Sequence, residues 1–316
     1  MSGLKSLKEK LSSSAPLRRL YHPFRPLFSK QSRHLKYWEI LTHLPERDLT
    51  VDTVHGRLTF SSRDKFIGRS LYTAGYYGYS QLLKAINILK AYDKLAETNQ
   101  GYVVDIGANI GTICIPLVKD GVFSKALAYE PEPRNFEYLT RNIKQNKISD
   151  RVSAYQLALS SANNEVELEL AADNYGDHRI RTKAPSANFD SLNELDRKVI
   201  RVPVQSLDFA IRSLGIDPKE IKLLWMDVQG HEGHVLQGAQ SLIATGVPLV
   251  FELWPYGLCS AGTNIELFVE FVINHFTYLW DLSSDHPEEL PVSSIREMFE
   301  TLKSDDASAQ TDVLVF

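Results

Sequence analysis

Val103-Val104-Asp105-Ile106-Gly107-Ala108-Asn109-Ile110-Gly111 is an apolar run that enters a glycine-containing turn. Gly107 has no Cβ, so the backbone there can turn sharply and approach a ligand closely. Gly111 permits close packing where a following helix starts. The spacing is D-x-G-x-x-x-G, whereas a dinucleotide pyrophosphate calls for G-x-G-x-x-G at a helix N-terminus. Asn109 stands where that fingerprint wants a glycine. The stretch predicts a strand–turn–helix unit of a doubly wound α/β fold. A purely structural strand–helix loop is the plain alternative.

The next strand ends at Tyr129-Glu130-Pro131. A carboxylate at the end of the second strand, some 20 residues after the turn, can accept hydrogen bonds from both ribose hydroxyls. A solvated loop acid or a helix N-terminal charge is the competing reading of Glu130. A donor with a ribose but no phosphate fits both features, and S-adenosylmethionine is such a molecule. Its amino group would meet Asp105 directly or through a water. Asp105, Gly107, Asn109, Gly111 and Glu130 are thus the expected donor-binding residues.

Elements predicted on either side keep the α/β alternation. A strand over 102–106 leads to a helix over 110–119, then a strand over 126–129 and a helix over 133–146. The latter places Phe136, Leu139 and Ile143 on one face and Pro133 at its first position. A third strand is expected over 152–159, further strands over 165–170 and 201–204, and a helix over 207–214. Ile221 to Met226 is apolar on both faces, as a buried parallel strand should be. A helix over 232–244, a strand over 248–253, a helix over 265–275 and strands over 276–282 and 313–316 complete the series. Ahead of it, 49–60 reads as strand with a His55-Gly56 turn, and 80–95 as helix.

Charge divides the chain. Before Trp38 stand Lys5, Lys8, Lys10, Arg18, Arg19, Arg25, Lys30, Arg33 and Lys36 against Glu9 alone. That segment carries +8 and the remainder −12, giving the net −4. Residues 1–48 read as a basic, proline-interrupted arm with short helices, 49–100 as a lead-in covering the donor, and 101–316 as the main domain. The arm is either a solvated tail or a contact for an anionic membrane leaflet. The acidic balance argues against a nucleic-acid binder. Cys114 and Cys259 give no metal or disulfide pattern, so a reducing, cytoplasmic setting is the default. No apolar run approaches a membrane span. The basic, serine-rich start lacks a secretory apolar core but leaves an organelle transit peptide open.

VVDIGANIG, AYEPEPRNFEYLTRNIKQN, QLALS, SLD and MDVQGHEGHVLQGA together resemble the FkbM family of methyltransferases, from about Gly68 to Phe251. The resemblance implies a Rossmann-like class I methyltransferase fold: a seven-stranded, mostly parallel sheet with helices on both faces, here with an N-terminal extension. It also implies S-adenosylmethionine as donor and O-methylation of a hydroxyl on a sugar or other natural product. The family's D-V-E-G stands here as Asp227-Val228-Gln229-Gly230, which removes one carboxylate and puts any acidic role of that position in doubt. The segment from Ile67 to Tyr79 resembles the family's lead-in over the donor.

Asp227 falls at the carboxyl end of a predicted central strand, the edge where open α/β sheets bind ligands. Glu232 precedes Val235, Leu236 and Ala239 at helical spacing and is expected at the cleft. His231 and His234 lie nearby, and the next strand ends at Glu252 before Trp254. Methyl transfer to a hydroxyl needs alignment and a proton acceptor. Asp227, Glu232 and His231 are the candidates. A first-turn acid favoured by the helix dipole is the bland reading of Glu232. Asp227, Glu232 and Glu252 could share a divalent cation, though no spacing demands one. The turn-rich Asn174 to Arg179 loop is either an acceptor contact or plain surface. Two other functions stay open, a binding protein on a decayed methyltransferase fold and a nicotinamide oxidoreductase. The intact donor residues speak against the first and the glycine spacing against the second.

Overall fold

The computed structural model describes residues 30–96, 100–181 and 197–316. Most of the basic arm, residues 1–29, and most of the polar stretch, residues 182–196, lie outside them.

The chain opens with helix α1 (Lys30–His43) and an antiparallel hairpin, β1 (Asp48–Thr53) and β2 (Gly56–Ser61). Trp38 of α1 is buried against Tyr72, with ring centroids 5.6 Å apart. Helices α2 (Ile67–Thr73) and α3 (Tyr79–Ala91) follow. Then the alternation begins: β3 (Gln100–Ile106), α4 (Cys114–Lys119), β4 (Phe123–Tyr129), α5 (Pro133–Gln145) and β5 (Val152–Tyr155). A smaller antiparallel excursion carries β6 (Ala158–Leu159), β7 (Asn164–Leu170), β8 (Arg179–Ile180) and β9 (Lys198–Gln205). The chain returns through α6 (Leu207–Ser213), β10 (Ile221–Met226), α7 (Glu232–Gln237), α8 (Gln240–Ile243) and β11 (Leu249–Leu253). It ends with α9 (Pro255–Ser260), α10 (Ile265–His275), β12 (Tyr278–Asp281), β13 (Leu290–Pro291), α11 (Ile295–Leu302) and β14 (Thr311–Val315).

The main sheet runs β13-β12-β14-β11-β10-β3-β4-β5. The run from β11 to β5 is parallel, and β14, β12 and β13 are added antiparallel. The mixed sheet fits a class I methyltransferase fold. Its strand count departs from the expected seven, because two-residue β13 adds an eighth at the edge beside β12. Strand order proceeds outward from β3 to β5 and then crosses back to β10 on the other side of β3. That reversal makes a crevice at the carboxyl ends of β3 and β10.

Alternation along the central strands supplies two cores. Val103, Leu223, Trp225 and Val250 join α2, α3, α4 and α5 on one face. Val104, Leu224, Met226 and Phe251 join α6, α7, α8 and α10 on the other. Burial on both faces explains why these strands read as continuous apolar runs.

Three boundaries differ from the sequence expectation for local reasons. The helix after the glycine turn starts at Cys114, not Ile110, because residues 109–113 form the turn itself. The expected strand over 152–159 splits between two sheets, β5 pairing with β4 and β6 with β9. The expected helix over 232–244 breaks near Gly238, where a Cβ would lie 2.1 Å from the Ser160 carbonyl oxygen. Asp208 then accepts the N–H groups of Ser241 (2.8 Å) and Leu242 (3.0 Å) and starts α8 afresh. Among the described residues no helix is long and apolar enough to cross a membrane.

Candidate active site

A cavity of about 580 Å³ opens at the switch point between β3 and β10. That size suits a nucleoside-sized ligand with room beyond it. The ends of β3 and β4 wall one half, and the ends of β10, β11 and β14 the other.

In the first half, the glycine turn and the β4 acid are tied together. The Asn109 N–H donates to Glu130 Oε2 at 2.8 Å, and the Glu132 N–H donates to Glu130 Oε1 at 2.9 Å. Glu132 caps α5 by accepting the Asn135 N–H at 2.6 Å, with Pro133 at the first helical position. Each Glu130 oxygen keeps a second lone pair for a ligand. Burial pushes the Glu130 carboxyl up to about 8, against the two N–H donors that favour its charged form. Asn109 sits in the left-handed region at φ 48. Its Nδ2 and that of Asn135 both donate to the Tyr175 carbonyl, each at 2.8 Å, which pins the Asn174–Arg179 loop over this half. Asn109 Oδ1, Asn135 Oδ1 and the Tyr129 hydroxyl are buried without a partner, and all three residues line the cavity.

Asp105 lines the cavity too, but one of its oxygens caps α4 by accepting the Cys114 N–H at 3.0 Å. Burial raises its carboxyl to about 7. Gly107, at φ +81, is glycine for a reason other than ligand approach: a Cβ would lie 1.9 Å from the Asp227 carbonyl oxygen. The close approach that requires glycine here is to the backbone after β10, and Gly107 lines the cavity as well. At Gly111, φ +93, a Cβ would press on Ile115 and Leu139, in line with close packing.

The lead-in closes the cavity from above with Phe66, Ile67, Tyr77, Gly78 and Gln81. Buried His55 joins it to the glycine-turn unit. Its Nδ1 lies 2.8 Å from the Thr112 carbonyl, and its Nε2 accepts the Tyr77 N–H at 3.1 Å. These partners require the neutral Nδ1–H tautomer. Burial lowers the imidazole to about 4.

The second half is acidic. Asp227, at the end of β10, is open to cavity water yet ringed by protein, and that enclosure raises its carboxyl. Glu252 of β11 is pushed well above the usual carboxylate range by burial and then by Asp227. Asp312 of β14 is raised by burial to about 7. Asp177 is held by Arg179 (2.6 Å) and Arg197 (2.5 Å), and the Arg179 guanidinium lies 4.5 Å from the centre of the Trp254 ring.

Glu232 and His231 are not brought to this cavity. Glu232 is fully buried behind the loop after β10, where Oε1 accepts the Val228 N–H at 3.1 Å and Oε2 has no partner. Burial raises it to about 8. His231 Nε2 pairs with the Ser160 hydroxyl at 2.9 Å, its ring stacks on His234, and burial lowers it to about 3. The placement of Glu232 at the cleft is thus corrected: α7 starts one wall behind it. No group of three or more His, Cys, Asp or Glu among the described residues has metal-holding geometry. Tyr77, Asn135 and Asp312 were missed from sequence. Asp312 carried one usable signal, an acid directly ahead of the apolar strand run Val313-Leu314-Val315.

The methyltransferase FkbM domain profile matches residues 105–286, more than half of the chain. Methyltransferase 1 of Beauveria bassiana (strain ARSEF 2860) is 28% identical over 166 residues, covering 49% of this chain and 65% of that protein. Methyltransferase sdnD of Sordaria araneosa is 28% identical over 188 residues, covering 52% of this chain and 71% of that protein. The chain therefore spans somewhat under two thirds of the first relative. Among solved structures, methyltransferase FkbM from Methylobacillus flagellatus KT is 14% identical with a TM-score of 0.42, covering 90% of this chain and 59% of that one.

Proposed function

The chain belongs to the FkbM methyltransferase family, and from that premise we propose that it moves a methyl group from S-adenosylmethionine to a hydroxyl oxygen of a sugar or another natural product. One observation carries the reading: the Asn109 N–H to Glu130 Oε2 bond, which joins the glycine turn and the second-strand acid beside a nucleoside-sized cavity. The orphaned Asn109, Asn135 and Tyr129 oxygens suit a ligand rich in N–H and O–H donors, as an adenosine is. Glu130 would hold the ribose hydroxyls. Asp105 would face the amino-acid portion from the end of β3.

Bound there, the donor supplies a methyl carbon activated by sulfonium. Asp227, Glu252 and Asp312 would hold the acceptor hydroxyl facing that carbon, and Asp227 would take the hydroxyl's proton as the methyl group is transferred. The carboxylates suit an acceptor with several hydroxyl donors, and Tyr77 gives its apolar side a surface. Calorimetry with S-adenosylmethionine and with NAD, followed by an acceptor screen with radiolabelled donor, tests the reading. Binding of the first and label transfer to a hydroxylated acceptor are expected; binding of NAD alone would overturn it. The basic arm is assigned, as part of the same proposal, to an anionic membrane surface.

A further inference from the structure

The loop after β10 turns through two consecutive left-handed residues, Gln229 at φ 54 and Gly230 at φ 97. Gly230 answers to packing, since a Cβ would lie 2.4 Å from the Gly257 carbonyl carbon. Gln229 has a side chain, for which this conformation is unfavourable. What the conformation achieves is an aim. Gln229 Nε2 donates to Asp227 Oδ1 at 2.7 Å and to Glu252 Oε2 at 3.1 Å. A primary amide carries two N–H donors, and here each has one carboxylate.

The surroundings make that bridge consequential. Asp227 and Glu252 end neighbouring strands, and Glu252 stands directly opposite Asp312 in the β11–β14 register, on one face of the sheet. Like charges placed so repel. Of the lining residues among those described, Arg179 is committed to Asp177, His178 is held neutral by burial, and Tyr77 is an uncharged phenol pushed further up by burial and by the same carboxylates. The Gln229 amide is the hydrogen-bond donor that binds two of the three acids to each other.

We propose that Gln229 is a positioning residue for the transfer: its amide clamps Asp227 and Glu252 at fixed spacing, so that one receives the acceptor's proton while the other orients the acceptor. The role rests on the methyl-transfer reading, but the clamp itself can be measured without transfer. A carboxylate at this position offers acceptors where the pair needs donors, and a shared proton must replace the amide.

The test uses the full chain and two variants, with melts from pH 5 to 9, titration with S-adenosylmethionine, and label transfer to an acceptor found by screening. Gln229→Glu should melt several degrees below wild type at pH 8 and recover most of that gap at pH 5, where a proton can bridge the acids. Gln229→Asn tolerates the left-handed backbone but is one methylene short. It should fold and bind donor normally and lose up to about 10²-fold in kcat through misplacement. Equal melts for Gln229→Glu and wild type at pH 8 would overturn the clamp. Normal kcat in Gln229→Asn would overturn its positioning role. If wild type binds no S-adenosylmethionine, the transfer reading falls, while the melts still decide the clamp.

Discussion

The carbonyl oxygen of Asp227 occupies the space beside Gly107, 1.9 Å from where a Cβ on that glycine would stand. The ends of β3 and β10 are therefore in backbone contact at the floor of the cavity, and the glycine turn is built for that contact before any ligand arrives. Gly107→Ala should destabilise the domain by roughly 2–5 kcal/mol, combining about 1–2 for a left-handed non-glycine with about 1–3 for overpacking. Thermal melting checks this directly. A Gly107→Ala protein with a wild-type melt and lost donor binding would restore the simpler view that the glycine only makes room for the donor.

Glu130→Gln separates donor recognition from folding. The amide keeps an oxygen for one of the two backbone N–H groups but loses the charge that strengthens bonds to ribose hydroxyls. At pH 9, where the wild-type carboxyl is ionised, donor affinity should fall by about 1.5–3 kcal/mol, or roughly ten- to a hundred-fold. The wild-type carboxyl is pushed up to about 8, so it is largely protonated at neutral pH and ionises above. Affinity of the wild type should then rise as pH increases through 8, while the variant stays flat. Calorimetry at pH 7 and pH 9 provides the comparison, and parallel pH curves would remove Glu130 from the ribose role.

The sequence disclosed those parts of the fold that depend on local pattern. The D-x-G-x-x-x-G turn, the carboxylate after Tyr129 and the apolar β10 run each follow from neighbours a few residues away. What it hid depends on the third dimension. Glu232 has the helical spacing of a cleft residue, yet the chain turns so tightly at Gln229-Gly230 that α7 begins behind the wall. Asp312 reaches the site only through its register with Glu252, across a connection of some sixty residues. His55 read as half of a turn with Gly56; its bonds to Thr112 and Tyr77 exist because the hairpin folds back on the glycine-turn unit.

That histidine carries a pH prediction. Folding holds its imidazole at about 4, below the ordinary 6.5, so between those values the unfolded chain binds more protons. The stability His55 contributes is present above pH 6.5 and is lost as pH falls through about 4. At 1.36 kcal/mol per pKa unit the swing is on the order of 3 kcal/mol. His55→Asn should melt well below wild type at pH 7.5, and the gap should narrow toward pH 4. Buried groups common to both proteins, such as His178 and Glu130, cancel in the difference. A constant gap across that range would show that His55 acts by packing alone.

Deleting residues 1–29 removes Lys5, Lys8, Lys10, Arg18, Arg19 and Arg25 but leaves Trp38 seated on Tyr72. Each basic residue near an anionic leaflet is worth about 1 kcal/mol. The full chain should sediment with phosphatidylserine-containing liposomes and the truncated chain should not, with donor affinity the same in both. Equal sedimentation would make the arm a tail without a membrane role.

The sharpest separation concerns Asp227 and Glu232, two raised carboxylates five residues apart in sequence but on opposite sides of the cavity wall. Asp227 lines the cavity and can meet an acceptor hydroxyl; Glu232 braces the Val228 N–H and lines no part of the cavity. Asp227→Asn preserves shape and removes the proton acceptor, so kcat should fall by roughly 10²–10⁴-fold with donor affinity and melting point near wild type. Glu232→Gln should do the reverse. Its Oε1 contact survives, the amide replaces a buried carboxyl whose Oε2 has no partner, and the rate per folded molecule should stay within a few-fold while the melting point moves. His231→Phe belongs with Glu232, since its imidazole faces Ser160 and His234 and burial keeps it neutral. All three variants need the acceptor identified by the label-transfer screen, donor titration and melts side by side. A large loss of kcat in Glu232→Gln with an unchanged melt would place the proton acceptor behind the wall and require the loop after β10 to open during turnover. Near-normal kcat in all three would mean that alignment alone drives the transfer.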